Sequence, residues 1–305
     1  MDFGRLAAHE FPSVDFTLPP DSALITKVLK VEGKPAKPDL YVGCAKWGRK
    51  EWVGMIYPPK TKEADFLAHY VKHFNSIELN ALFYGMPKKE QLNSWMEKAE
   101  ASRTDFKFFP KFSQSISHIK RLKDAEELTS QYLTGISALG NTLGPAFLQL
   151  SDNFGPKNFD ILKNYLEELP ADYDVFVELR HKDWFSDTNA RTELFDMMHS
   201  LNKGSVITDA SGRRDCVHME LSTPDAFIRF VGNGLHPTDF SRIDAWADRL
   251  ADWKNQGLNK IYFFLHQHDE KDTPILADYT IKKFNETLGT NLPGPVFIKP
   301  DKGLF

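Results

Sequence analysis

Three carboxylates, Glu78, Glu178 and Asp209, stand at the ends of short apolar runs, and a cation, amide or imidazole stands at most of the other run ends: Lys46, Asn80, Lys111, Gln149, Arg180, Arg229 and His266. Two carboxylates in unlike surroundings can act as general acid and general base, the pair many hydrolases use. Guanidinium and ammonium groups beside them suit the negative oxygens of a substrate. Glu78, Glu178 and Asp209 are therefore the candidate proton-transfer groups, and the cations, amides and imidazole are candidate ligand contacts. Trp47, Tyr84, His118 and Trp184 lie in the stretches that follow these runs, where a ring can wall a pocket or stack on a sugar. A single charged residue at such a place is usually solvated or paired for structure. Its repetition along the chain is what asks for a function.

His266 and His268 have the i, i+2 spacing that puts two imidazoles on one side of a strand. With Glu178, His181 or Asp209 they could hold a divalent ion, and that set motivates an alternative, a metal-dependent phosphodiesterase or nuclease resembling the endonuclease IV barrels. A third possibility is a barrel that binds a ligand without catalysis. Motifs of other chemistries are missing: the chain has no G-x-S-x-G elbow, phosphate-binding P-loop or H-E-x-x-H. Cys44 and Cys216 lie in no nucleophile signature, and two cysteines make no disulfide framework, so a reducing, cytoplasmic location is expected.

The elements that must position these residues follow from periodicity. Short apolar runs at 40–44, 76–80, 106–111, 146–150, 174–179, 205–209, 226–231 and 260–265 alternate with stretches whose apolar residues recur at helical spacing. Leu67, Tyr70, Val71 and Phe74 form one such stripe; Phe240, Ile243, Ala247 and Leu250 form another. Residues 211–224 are too short and polar for a full helix and predict an irregular connection. Eight strands alternating with helices over about 250 residues predict an α/β fold, a TIM-like (β/α)8 parallel barrel. An open doubly wound sheet is the rival, but Gly43-Cys44-Ala45-Lys46-Trp47-Gly48 lacks the glycine spacing of its phosphate turn. In a barrel all strand ends point to one face, so the polar set converges there. Period two places Glu78 with Asn80 and Glu178 with Arg180 on one face, with Ile77, Leu79, Val177 and Leu179 on the other. The organisation expected is a proline-rich extension over 1–39 that drapes on the domain or stays mobile, a barrel over 40–290 and a tail over 291–305.

The 305-residue chain is 41% hydrophobic and 26% charged, the composition of an ordinary globule. With 38 basic against 42 acidic residues its net charge is −4, which argues against holding nucleic acid by counterion release and leaves a polar or anionic small molecule as the expected partner. No apolar stretch reaches bilayer length, so no membrane partner is expected.

Taken together, Val42-Gly43 through Trp47 and Trp52, Tyr57-Pro58, Phe74 through Glu78 and Asn80, Phe83-Tyr84 with Pro87, Ile116-Ser117-His118 with Arg121-Leu122, Leu148-Gln149-Leu150 with Asn153-Phe154, Val177-Glu178 with Arg180-His181 and Trp184, Asp209 and Arg229 resemble the YecE-like proteins, the domain of unknown function 72. The resemblance spans nearly all of 41–290. It implies a TIM-like barrel and names no reaction. The family usually continues the first strand as Gly-Thr-Ser-Gly-Trp and ends the eighth with two asparagines, where this chain has Gly43-Cys44-Ala45-Lys46-Trp47 and His266-Gln267. These departures imply a subgroup with altered ligand contacts.

Overall fold

The computed structural model describes residues 4–29 and 37–299. Eight strands form the centre: β1 (Asp39–Cys44), β2 (Ser76–Leu79), β3 (Lys107–Pro110), β4 (Ala146–Gln149), β5 (Val175–Glu178), β6 (Gly204–Asp209), β7 (Asp225–Gly232) and β8 (Lys260–Gln267). Their order is β3-β2-β1-β8-β7-β6-β5-β4, and every pairing is parallel. The two outer strands approach each other through bridges at Phe108–Leu143 and Lys111–Phe147, where Gly144 N–H donates to Phe108 O at 2.8 Å and Phe112 N–H to Phe147 O at 2.9 Å. The sheet is thus a nearly closed barrel, and the expected fold class holds.

Alternation along the strands separates two apolar layers. Phe109, Phe147, Phe176, Val206, Phe227, Tyr262 and Phe264 form a cluster of their own inside the barrel. Ile77, Leu148, Val177, Ile207, Ile228 and Phe263, of opposite parity, join the larger core shared with the helices. Gly43 sits opposite Ser76, and a Cβ there would come within 2.2 Å of the Ser76 carbonyl oxygen, so only glycine permits this approach of β1 to β2.

Helices fill most of the crossovers where helical spacing places them: Lys89–Glu100, Glu126–Ile136, Phe159–Glu168, Thr188–Ser200, Pro237–Gln256 and Thr273–Leu288. The stripe beginning at Leu67 is helical only over Phe66–Tyr70, because Tyr70 is tied to the sheet. Its hydroxyl accepts from Cys44 N–H at 2.8 Å and donates to Ser76 O at 2.7 Å, joining β1 to β2. The polar connection after β6 is a single 3-10 segment, Ser211–Cys216, followed by extended chain.

The described part of the N-terminal segment lies on the barrel. Its short helix Ala23–Val28 buries Leu24, Ile25, Val28 and the following Leu29. Asp21 accepts from Arg249 Nη1 at 2.5 Å and Trp253 Nε1 at 3.1 Å. Residues 30–36 and 300–305 of the expected extension and tail lie outside the described residues. Among the described residues no helix is long and apolar enough to cross a membrane.

Candidate functional site at the C-terminal end of the barrel

Arg229, on β7, is completely buried and organises the end of the barrel at which the strands finish. It follows Phe227 at the strand's period of two, so its side chain stands one layer above that ring and crosses the barrel toward β2. Nη2 and Nε donate to the two oxygens of Glu78 at 2.7 and 2.8 Å, the bidentate fork a guanidinium is shaped for. Nη1 donates to Glu178 Oε2 at 2.6 Å. One arginine therefore bridges carboxylates from two strands, both fully buried.

Each carboxylate has further partners. Glu78 Oε1 accepts from Asn80 Nδ2 at 2.7 Å, and Glu78 Oε2 lies 2.8 Å from His266 Nε2. Glu178 Oε1 accepts from Arg180 Nε at 2.8 Å. Burial by itself raises a carboxyl pKa, but here opposite charge outweighs it. Burial pushes Glu78 up, and Arg229 and His266 hold it well below the usual carboxylate range; Glu178, also pushed up by burial, is brought down to about 2 by Arg180 and Arg229. Both groups stay ionised at neutral pH.

Lys111 lies just beyond β3 and is only 7% exposed. Its Nζ donates to Gln149 Oε1 at 2.8 Å, and the same oxygen is 3.5 Å from Arg229 Nη1, so two cations share one neutral acceptor. The ammonium also stands 4.2 Å from the centre of the Phe83 ring. Burial first, then the Arg229 charge, pushes its pKa down to about 7. His118 lies alongside, its ring edge-on to Phe83 at 5.0 Å and Nδ1 2.9 Å from Ser117 Oγ. Burial, then the positive charges of Lys111 and Arg180, lower its pKa.

Next to this cluster is a cavity of about 340 Å³ whose walls include Lys46, Trp47, Glu78, Asn80 and Tyr84. Tyr84 is 78% exposed, which leaves its ring face open at the rim. Trp47 also packs against Trp95, with ring centres 5.2 Å apart.

The fold thus brings together Glu78, Asn80, Lys111, His118, Gln149, Glu178, Arg180, Arg229 and His266, with Lys46, Trp47 and Tyr84 around the adjoining cavity. Two residues expected with them lie elsewhere. Asp209 has the parity of Ile207, not of Val206, so it faces the helix layer and Thr208 takes the inward position. Its carboxylate accepts from Arg242 Nη2 and Trp246 Nε1, both at 2.8 Å, and from Arg214, which accounts for the charge without a ligand. Trp184 is fully buried, and its Nε1 donates to Phe154 O at 2.7 Å, so its only polar atom is used inside the protein.

The same separation removes the suggested metal set. Glu178 and Asp209 belong to different layers, and among the described residues no three His, Cys, Asp or Glu side chains are grouped to hold a metal ion. The expected separation of two carboxylate pKa values also fails, since both are held low by shared cations. Sequence reading missed Phe83, which caps Lys111, although its place directly before Tyr84 in a post-strand stretch was a signal. It also missed Arg242, whose pairing with Asp209 depends on a helix face meeting a strand.

The family model described as "Protein of unknown function DUF72" matches residues 41–296. The UPF0759 protein YecE of Escherichia coli strain K12 is 28% identical over 267 residues, 82% of this chain and 94% of that protein. The UPF0759 protein YunF of Bacillus subtilis strain 168 is 25% identical over 154 residues, 48% of this chain and 52% of its own length. A crystal structure of a DUF72 family protein from Enterococcus faecalis V583 superposes with a TM-score of 0.63 at 15% identity, covering 86% of this chain and 99% of that one. A barrel of the same architecture, matched along almost the whole of its length, places the chain in the DUF72 family.

Proposed function

We propose that the protein is an enzyme that binds a polar, anionic small molecule, a sugar acid or sugar phosphate among them, at the C-terminal end of the barrel and moves a proton on it. The observation that carries this is Lys111. An ammonium 93% removed from solvent is normally paired with a carboxylate, yet the structure gives it no carboxylate within ion-pairing distance, only Gln149 and aromatic faces. A ligand oxygen bearing negative charge would supply the missing partner.

The other groups divide by their surroundings. Glu78 and Glu178 are poor proton carriers: as acids they have already lost the proton, and a carboxylate brought down to about 2 is a feeble base. They fit a different role, fixing Arg229 and, through it, Gln149. Proton transfer then falls to Lys111, the group in this cluster whose pKa lies near the working pH, with His118 beside it. Trp47 and Tyr84 offer apolar faces to a sugar ring, with Asn80 as a donor and acceptor for hydroxyls.

The test is calorimetric titration of the wild-type chain and the Lys111→Met variant with gluconate, glucose 6-phosphate and inorganic phosphate, each protein checked for folding by circular dichroism. The expected result is binding of at least one of these anions by the wild type and a tenfold or greater loss of affinity in the variant. No binding of any of them, or equal binding by both proteins, would overturn the proposal.

A further inference from the structure

We infer that Lys111 is a nucleophile that forms an imine with the carbonyl group of an aldehyde or ketone substrate. This rests on the placement of the substrate at Lys111 and goes further, because it names the bond made there. An amine attacks carbonyl carbon only when unprotonated, so a lysine with this task must be kept from its usual ammonium state. The geometry does so in three ways. The side chain is 93% buried, no carboxylate pairs with Nζ, and its one hydrogen-bond acceptor, Gln149 Oε1, is also directed at the Arg229 guanidinium. The Phe83 face, 4.2 Å away, favours the ammonium, and burial with the Arg229 charge opposes it; the two forms are both present near neutral pH.

A lysine meant only to attract an anion would gain from exposure or from a carboxylate that keeps it charged, and it has neither. Its fixed direction matters equally. Gln149, held on β4 opposite Glu178 of β5, anchors Nζ at a single point and prevents the four-carbon stem from turning away. Phe83 and Phe147 on two sides leave the amine in an apolar surround, where loss of water from a carbinolamine is not opposed by bulk solvent.

The step balances without an oxidant, a reductant or a metal. The nitrogen lone pair adds to the carbonyl carbon, one nitrogen proton passes to the former carbonyl oxygen, and the carbinolamine hydroxyl leaves with the second nitrogen proton as water. One C=N bond replaces one C=O bond. His118 is placed to relay those protons, since it packs against the other exposed part of Phe83.

Pyruvate and glyceraldehyde 3-phosphate serve as probes. Each is incubated with the full chain at pH 7 and sodium cyanoborohydride, and the sites of attachment are mapped by peptide mass spectrometry. Reduction of an imine adds the probe less one oxygen atom. The expected result is one dominant adduct per chain, on Lys111, at probe concentrations that leave the exposed Lys46 unmodified, and loss of that adduct in Lys111→Arg. Modification spread over exposed lysines with Lys111 unlabelled would overturn the inference, as would a wild-type chain that binds the probe by calorimetry and yields no Lys111 adduct. In the latter case the proposed anion site would stand and only the imine would fall; a chain that binds neither the probes nor the anions above would remove both.

Discussion

Replacing Arg229 by methionine removes the guanidinium that joins Glu78 to Glu178 and leaves two fully buried carboxylates short of their common partner. Glu78 keeps Asn80 and His266, and Glu178 keeps Arg180, so neither is left bare. Breaking a buried pair by deleting one partner costs about 3–5 kcal/mol, and these residual contacts argue for about 4 kcal/mol at pH 7. For a domain of this size that corresponds to a fall in Tm of about 8–15 °C. The pH dependence is more telling. In the wild type both carboxyl pKa values are depressed, Glu178 to about 2, so their contribution is present above the ordinary carboxylate range and is lost as pH falls from about 4.5 toward 2. In the variant burial dominates and raises both values, so protonation relieves the folded state as pH falls from 7 to 4.5. Urea denaturation at pH 7 and pH 4.5 should show the gap between wild type and variant narrowing by about 1–3 kcal/mol on acidification. Adding Glu78→Gln and Glu178→Gln to the variant should recover much of the loss at pH 7. A gap below about 1 kcal/mol at pH 7, or one that widens on acidification, would refute the reasoning.

Asp209→Asn should destabilise the fold by about 2–4 kcal/mol in urea, because Arg242 and Arg214 lose their shared buried counter-charge, while leaving the affinity of the barrel end for an anion unchanged. A selective loss of affinity with stability intact would return Asp209 to the site. Ile25→Ala should cost about 2–4 kcal/mol, since a side chain 1% exposed packs the N-terminal segment onto the barrel; a change below about 0.5 kcal/mol would mean that this segment contributes nothing to the fold.

Most of the barrel was legible in the chain because its strands are buried on both faces and bounded by turn residues. Helix ends were less so. The stripe at Leu67, Tyr70, Val71 and Phe74 is buried as its spacing predicts, yet Tyr70's two hydrogen bonds to β1 and β2 end the helix early, a tertiary demand that local pattern does not carry. At the site, parity placed Glu78, Glu178 and Arg229 correctly on inward positions. The same parity, counted back from Asp209 through Ile207, would have turned Asp209 outward; it was set aside in favour of the residue's place at the strand end. What could not be read was who meets whom. Arg229 and Glu78 are 151 residues apart and their strands are not neighbours, since β1 and β8 lie between them. Their pairing follows from the barrel's curvature and the length of an arginine. That pairing, in turn, decides that the carboxylates are ionised and that Lys111 is left without a counter-charge.

The charge state of Lys111 is therefore the point on which the functional account turns. An NMR pH titration of the chain with 13C-labelled lysine, its Lys111 resonance assigned by disappearance in Lys111→Gln, measures it directly. A midpoint near 7 is predicted, well apart from the exposed lysines. A midpoint in the ordinary lysine range, above about 10, would contradict the account.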